Sequence, residues 1–152
     1  MAVQLDKLKK LRDKTGAGIL EIKEILEEVG GDYDKAMDEL MKKVVAKVEK
    51  KADRVAGDGL VFSYIHNGGK VGSLVLINCE TDFVAKTEDF QKLCREVAMQ
   101  VCTDEYADVE SLLNSEYIRD PSKKILDLVN EVTAKVGEKI EVSKFVKFSV
   151  GE

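Results

Sequence analysis

Side chains able to do chemistry are few in this 152-residue chain. His66 is the single histidine, so neither a histidine metal centre nor a histidine relay can be assembled within one chain. Its setting, Tyr64-Ile65-His66-Asn67-Gly68-Gly69, reads as an exposed position at the end of a hairpin. Of the three cysteines, Cys79, Cys94 and Cys102, Cys94 lies on an apolar helical stripe and reads as a buried structural thiol. Thr15-Gly16-Ala17-Gly18 lacks the lysine and the preceding strand of a phosphate-binding loop. These residue types argue against an enzyme and imply no cofactor and no metal.

Two segments instead have the character of binding surface. Glu80-Thr81-Asp82-Phe83-Val84 follows directly on an expected strand, which puts two carboxylates and an aromatic at a sheet rim. Two carboxylates with no third oxygen ligand make a weak cation site. Phe83 has two readings. It extends the buried stripe of the helix that contains Phe90, or it is presented outward with Asp82 as an anchor for a partner protein. Leu20 raises the same question. At about 100° per residue, Ile22, Ile25, Leu26 and Val29 share one helix face, Ile19 lies near its edge and Leu20 projects nearly opposite. An apolar side chain there, beside a glycine-rich corner, suits contact with another protein, although single exposed leucines are ordinary.

The elements that must position these residues divide near Gly57–Gly59. Before that point the pattern is helical. A first helix over Val3–Lys14 carries Leu5, Leu8 and Leu11 and ends at the Gly16–Gly18 corner. The helix containing Ile22–Val29 stops at Gly30-Gly31, and Asp32 caps a third helix with Tyr33, Ala36, Met37, Leu40, Met41 and Val44 on one side. A basic helical connector, Lys42 to Arg54, follows. After Gly59 the period falls toward two. Leu60–His66 and Val71–Asn78 flank Asn67-Gly68-Gly69-Lys70, a hairpin signal. Thr87 caps a helix to about Cys102 with the stripe Phe90, Leu93, Cys94, Val97, Ala98 and Val101. Residues 103–120 are acidic and weakly patterned, a short helix and a loop. Pro121-Ser122 opens a helix with Ile125, Leu128, Val129, Val132 and Val136, closed by Gly137. Ile140, Val142, Val146, Phe148 and Val150 fall on one face of a final strand, interrupted by Lys144. The expected fold is α+β: a three-helix N-terminal domain (1–55, with its basic connector), then an antiparallel sheet of at least three strands with helices on one face (56–152).

Charge and composition narrow the partners. The net charge of -5 lies wholly in the second half, because acids and bases balance over residues 1–58. The one basic stretch, Lys42–Arg54, contains no aromatic, so direct nucleic-acid binding is not expected. No apolar run approaches the ~20 residues of a membrane span, and the N-terminus has no secretory apolar core. A reduced, cytoplasmic chain with no membrane partner is the expectation. A module with so few strands leaves open edges or a bare face, and a symmetric homodimer through the second half would cover them.

Five segments in order resemble one family. These are Leu11-Arg12 with Thr15-Gly16-Ala17-Gly18; Gly31-Asp32 with Lys35-Ala36; Lys51-Ala52 with Arg54 and Ala56; Asn78-Cys79-Glu80-Thr81-Asp82-Phe83-Val84-Ala85; and Phe145-Val146-Lys147-Phe148-Ser149-Val150-Gly151-Glu152. Together they are similar to bacterial elongation factor Ts, the guanine-nucleotide exchange factor of elongation factor Tu. The resemblance implies a ubiquitin-associated-like N-terminal domain that docks on the nucleotide-binding domain of elongation factor Tu, with Arg12, Ile19 and Leu20 at contact positions. Many members have methionine at position 19. It implies that Thr81, Asp82, Phe83 and Val84 are partner contacts, with Asp82 and Phe83 entering near the partner's switch region, disturbing its magnesium site and loosening GDP, and that His66 is a further contact. Many members carry the second-half module twice, with a projecting helical hairpin. This chain has one module, like the short form in which two chains act together. The competing reading is a ubiquitin-associated-like module recruited to ribosomes or nascent chains without exchange activity.

Overall fold

A computed structural model describes residues 2–151, and the side chains of residues 4–151. Glu152, the last residue of the closing motif, lies outside the described residues. The N-terminal helices α1 (Ala2–Thr15), α2 (Ile19–Glu28) and α3 (Tyr33–Lys50) bury one apolar cluster. Leu11, Ile22, Ile25, Leu26, Ala36 and Leu40 form it. Asp32 caps α3 by accepting the Lys35 N–H at 3.1 Å, as its position before the helix requires. The basic stretch expected as a connector continues α3 to Lys50.

The second half holds strands β1 (Asp58–Ile65), β2 (Val71–Cys79) and β3 (Glu141–Ser149) in one antiparallel sheet of order β1-β2-β3. Helices α4 (Asp82–Ala85), α5 (Glu88–Val101), α6 (Val109–Leu113) and α7 (Ile125–Val136) complete it. The β1–β2 turn places Gly68 and Gly69 at φ of 90° and 71°, a left-handed geometry that a side chain would strain. The stripe of α5 packs on Val75, Ile77 and Cys79 of β2 in a second apolar cluster that α7 closes with Ile125 and Val129. The fold is α+β, with N-terminal helices and a three-stranded sheet. The two halves touch where α1 and α3 meet α7. Gly16 makes this approach possible, because a Cβ there would lie 2.6 Å from Lys135 Cγ.

Two expectations need correction. Val142 does not share a face with Val146, Phe148 and Val150. Between Leu76↔Lys144 and Ile77↔Val142 the register shifts, and Ser143 is the extra residue of a bulge. Past it the alternation inverts, so Phe145 faces the helices and Val146, Phe148 and Val150 face away. Nor does Pro121-Ser122 open α7, which starts at Ile125. The Ser122 N–H and hydroxyl both donate to Asp120 Oδ1, a bond that holds the Asp120 carboxyl below the usual range, and Tyr117 N–H reaches Lys123 O. Those bonds make a turn of residues 117–123, and α7 begins when Asp127 Oδ2 accepts the Lys124 N–H at 2.8 Å.

Candidate functional site

At the end of β2 the backbone makes a single helical turn, α4, between two threonine caps. Thr81 Oγ1 accepts the Val84 N–H at 3.4 Å, and Thr87 Oγ1 donates to Val84 O at 2.7 Å while accepting the Phe90 N–H at 3.3 Å. One turn offers four successive side-chain directions. Val84 and Ala85 take the inward ones and are buried in the second cluster. Asp82 and Phe83 are left pointing to solvent, with Phe83 79% exposed. The reading that placed Phe83 on the buried stripe of α5 is overturned. That stripe begins at Phe90, because Thr87 restarts the helix and breaks the phase between the two aromatics.

The carboxylates of the segment diverge. Asp82 meets Lys86 across solvent at 3.4 Å, whereas Glu80 turns inward to accept the Lys139 N–H at 2.8 Å and faces Arg54 at 3.4 Å. Among the described residues no cluster of acidic, histidine or cysteine side chains converges to hold a metal ion. Below the turn, Cys79 Sγ donates to Thr81 O at 3.1 Å. Burial first, and then the nearby Glu138 charge, push the Cys79 thiol up, so it stays protonated. Burial pushes Cys94 up to about 12, in keeping with its structural reading.

The remaining expected site residues lie elsewhere. Arg12, in the last turn of α1, is exposed with no ion pair among the described residues. Across the Gly16–Gly18 corner, Ile19 and Leu20 open α2, and Leu20 is 76% exposed while Ile22, Ile25 and Leu26 are buried. His66 is exposed at the hairpin end, with Nδ1 3.2 Å from the Tyr64 hydroxyl. Residues that sequence reasoning missed hold the turn from behind. Glu138 Oε1 accepts the N–H groups of Glu80 and Thr81, and Oε2 accepts the Thr81 hydroxyl. They sit 57 or more positions apart, so no local motif could have paired them.

Comparison with known proteins supports one family. A family model described as "Elongation factor TS" matches residues 80–152. Elongation factor Ts of Thermotoga petrophila is 36% identical over 195 aligned positions, covering 100% of this chain and 98% of the relative. That of Coprothermobacter proteolyticus is 39% identical over 197 positions, with both chains covered in full, and that of Petrotoga mobilis is 37% identical over the same span. These spans exceed the chain's own length, so the relatives carry internal residues that it lacks. With similarity running through both halves, the chain belongs to the elongation factor Ts family of translation elongation factors.

Proposed function

We propose that this chain promotes GDP release from elongation factor Tu by binding alone, with no catalytic group of its own. The observation that carries the reading is Phe83, a large aromatic exposed beside Asp82 on a turn whose other residues are buried or hydrogen-bonded. An exchange factor must bind the nucleotide-free partner more tightly than the nucleotide-bound one, and linkage makes each ligand weaken the other by the same factor. Phe83 acts as a wedge against the partner's switch region, and Asp82 places negative charge near its magnesium. Thr81 and Val84 hold the turn, Thr81 by capping and Val84 by anchoring in the core. Residues 1–55 form the ubiquitin-associated-like docking domain, where Arg12, Ile19 and Leu20 meet the nucleotide-binding domain, and His66 makes a separate contact. No helix among the described residues is long and apolar enough to cross a membrane, and action in the cytoplasm beside elongation factor Tu fits this reading.

Residues 56–152 also form the dimerisation domain in this proposal. The sheet face away from the helices exposes Val61, Ile65, Leu74, Val146, Phe148 and Val150, and both edge strands are open. A second copy seated on it would bury that apolar face. Light scattering should give twice 16.9 kDa at tens of micromolar protein, and a 16.9 kDa particle would exclude the dimer. Release of fluorescent GDP from elongation factor Tu, with and without the chain, tests exchange. Capture of elongation factor Tu with no acceleration would favour the non-exchanging module.

A further inference from the structure

We infer that Glu138 is a positioning residue for the wedge turn, an assignment that rests on the exchange reading above. Where β2 ends, the N–H groups of Glu80 and Thr81 have left the sheet ladder and need acceptors. Glu138, two residues after α7, supplies one carboxylate oxygen to both, at 3.1 and 3.0 Å. Its second oxygen takes the Thr81 hydroxyl proton at 2.7 Å. That last bond has a directional consequence. With its proton committed to Glu138, Thr81 Oγ1 presents its lone pairs to the Val84 N–H and so caps α4. Glu138 thereby fixes the start of the turn that carries Asp82 and Phe83.

The clasp is reciprocal. While Glu138 accepts from the backbone of Glu80 and Thr81, Glu80 Oε2 accepts the Lys139 N–H at 2.8 Å. Arg54 then bridges Glu80 to Gly137 O, and Lys139 Nζ returns to the carbonyls of Ala52 and Arg54. Three segments distant in sequence therefore meet behind the wedge: the linker after α3, the end of β2 and the α7–β3 loop. Charge-assisted bonds of this kind are roughly twice as strong as neutral ones. A wedge must hold its direction when pressed against a partner, because disorder in the free turn is a loss at binding. Val84 and Ala85 are buried through apolar contacts that do not involve Glu138, so its removal should loosen the turn's direction more than the fold.

The test compares GDP release driven by wild type, Glu138→Ala, Glu138→Gln, Phe83→Ala and the Glu138→Ala/Phe83→Ala double variant, with hydrogen exchange of the Glu80 and Thr81 amides. Glu138→Ala removes three part-buried bonds and should slow stimulated release about tenfold, because only the share of their energy that orients the turn reaches the partner. Its thermal midpoint should fall by only a few degrees, as two part-buried N–H groups lose their acceptor while both apolar clusters are kept. Glu138→Gln, whose amide oxygen still accepts both N–H groups but whose NH2 cannot accept the Thr81 hydroxyl proton, should recover only part of the loss. In the Phe83→Ala background, Glu138→Ala should change release less than about twofold, because both act through one side chain. The Glu80 and Thr81 amides should exchange about tenfold faster in Glu138→Ala, while β2 amides stay protected. If Glu138→Ala does not fold, Thr81→Val removes the hydroxyl that links Glu138 to the α4 cap and leaves both N–H bonds, and a smaller slowing with the same non-additivity is expected of it. Full wild-type exchange by folded Glu138→Ala, unchanged amide protection, or equal losses in both backgrounds would overturn the assignment and leave the exchange reading intact. If wild type itself fails to accelerate release, the exchange reading falls and takes this assignment with it.

Discussion

Leu20 and Phe83 are both apolar, both exposed and both at the first turn of a helix, yet they are held in different ways. Leu20 stands on a ten-residue helix whose direction is set by Ile22, Ile25 and Leu26 in the core beneath it. Its exposure follows from helical phase alone. Phe83 stands on a four-residue turn too short to be stable by itself. Its exposure follows from two threonine caps, two buried neighbours and a carboxylate more than fifty positions away. One surface is held by the packing of its own helix. The other is held by hydrogen bonds from separate segments behind it.

The largest expected effect tests the helical side of that contrast. Leu26→Ala should cost about 2–5 kcal/mol of stability, as a buried leucine does, while Leu20→Ala should stay within about 0.5 kcal/mol. Denaturant melts of both variants check this, and equal losses would show that Leu20 belongs to the core. Leu20→Ala and Arg12→Ala should nonetheless weaken binding to elongation factor Tu. Next, Phe83→Ala should leave the melting temperature nearly unchanged and slow GDP release about thirtyfold, the scale of a hot-spot aromatic losing about 2 kcal/mol. A destabilised variant whose folded fraction exchanges at the normal rate would refute the wedge. Asp82→Asn keeps the shape and removes the charge, so its effect is smaller, about threefold, and greater at saturating magnesium than at limiting magnesium. A loss independent of magnesium would argue against a role at the cation. The smallest effect belongs to Arg54→Ala. Its half-exposed pair with Glu80 contributes at most about 1 kcal/mol, and a thermal melt losing far more would show that its bridge to Gly137 O outweighs the ion pair.

Much was legible in the sequence by itself because it depends on local physics. Helical phase separated Leu20 from Ile22, Ile25 and Leu26, and glycines and cap residues marked the corners at Gly16–Gly18, Asp32, the hairpin turn and Thr87. The α+β class followed from the change of period after Gly59. What only the tertiary structure decided involves partners far apart in the chain. Phe83 could be placed on the α5 stripe by spacing, and it was turned outward by Thr87 restarting the helix and by Val84 and Ala85 claiming the core. The alternation of β3 inverts at Ser143 because pairing with β2 sets a bulge there, and the strand's own pattern marks it only by the interruption at Lys144. Glu138 carried no signal at all. A carboxylate acquires a role like this only when the fold brings it to two part-buried backbone N–H groups that have left the sheet ladder.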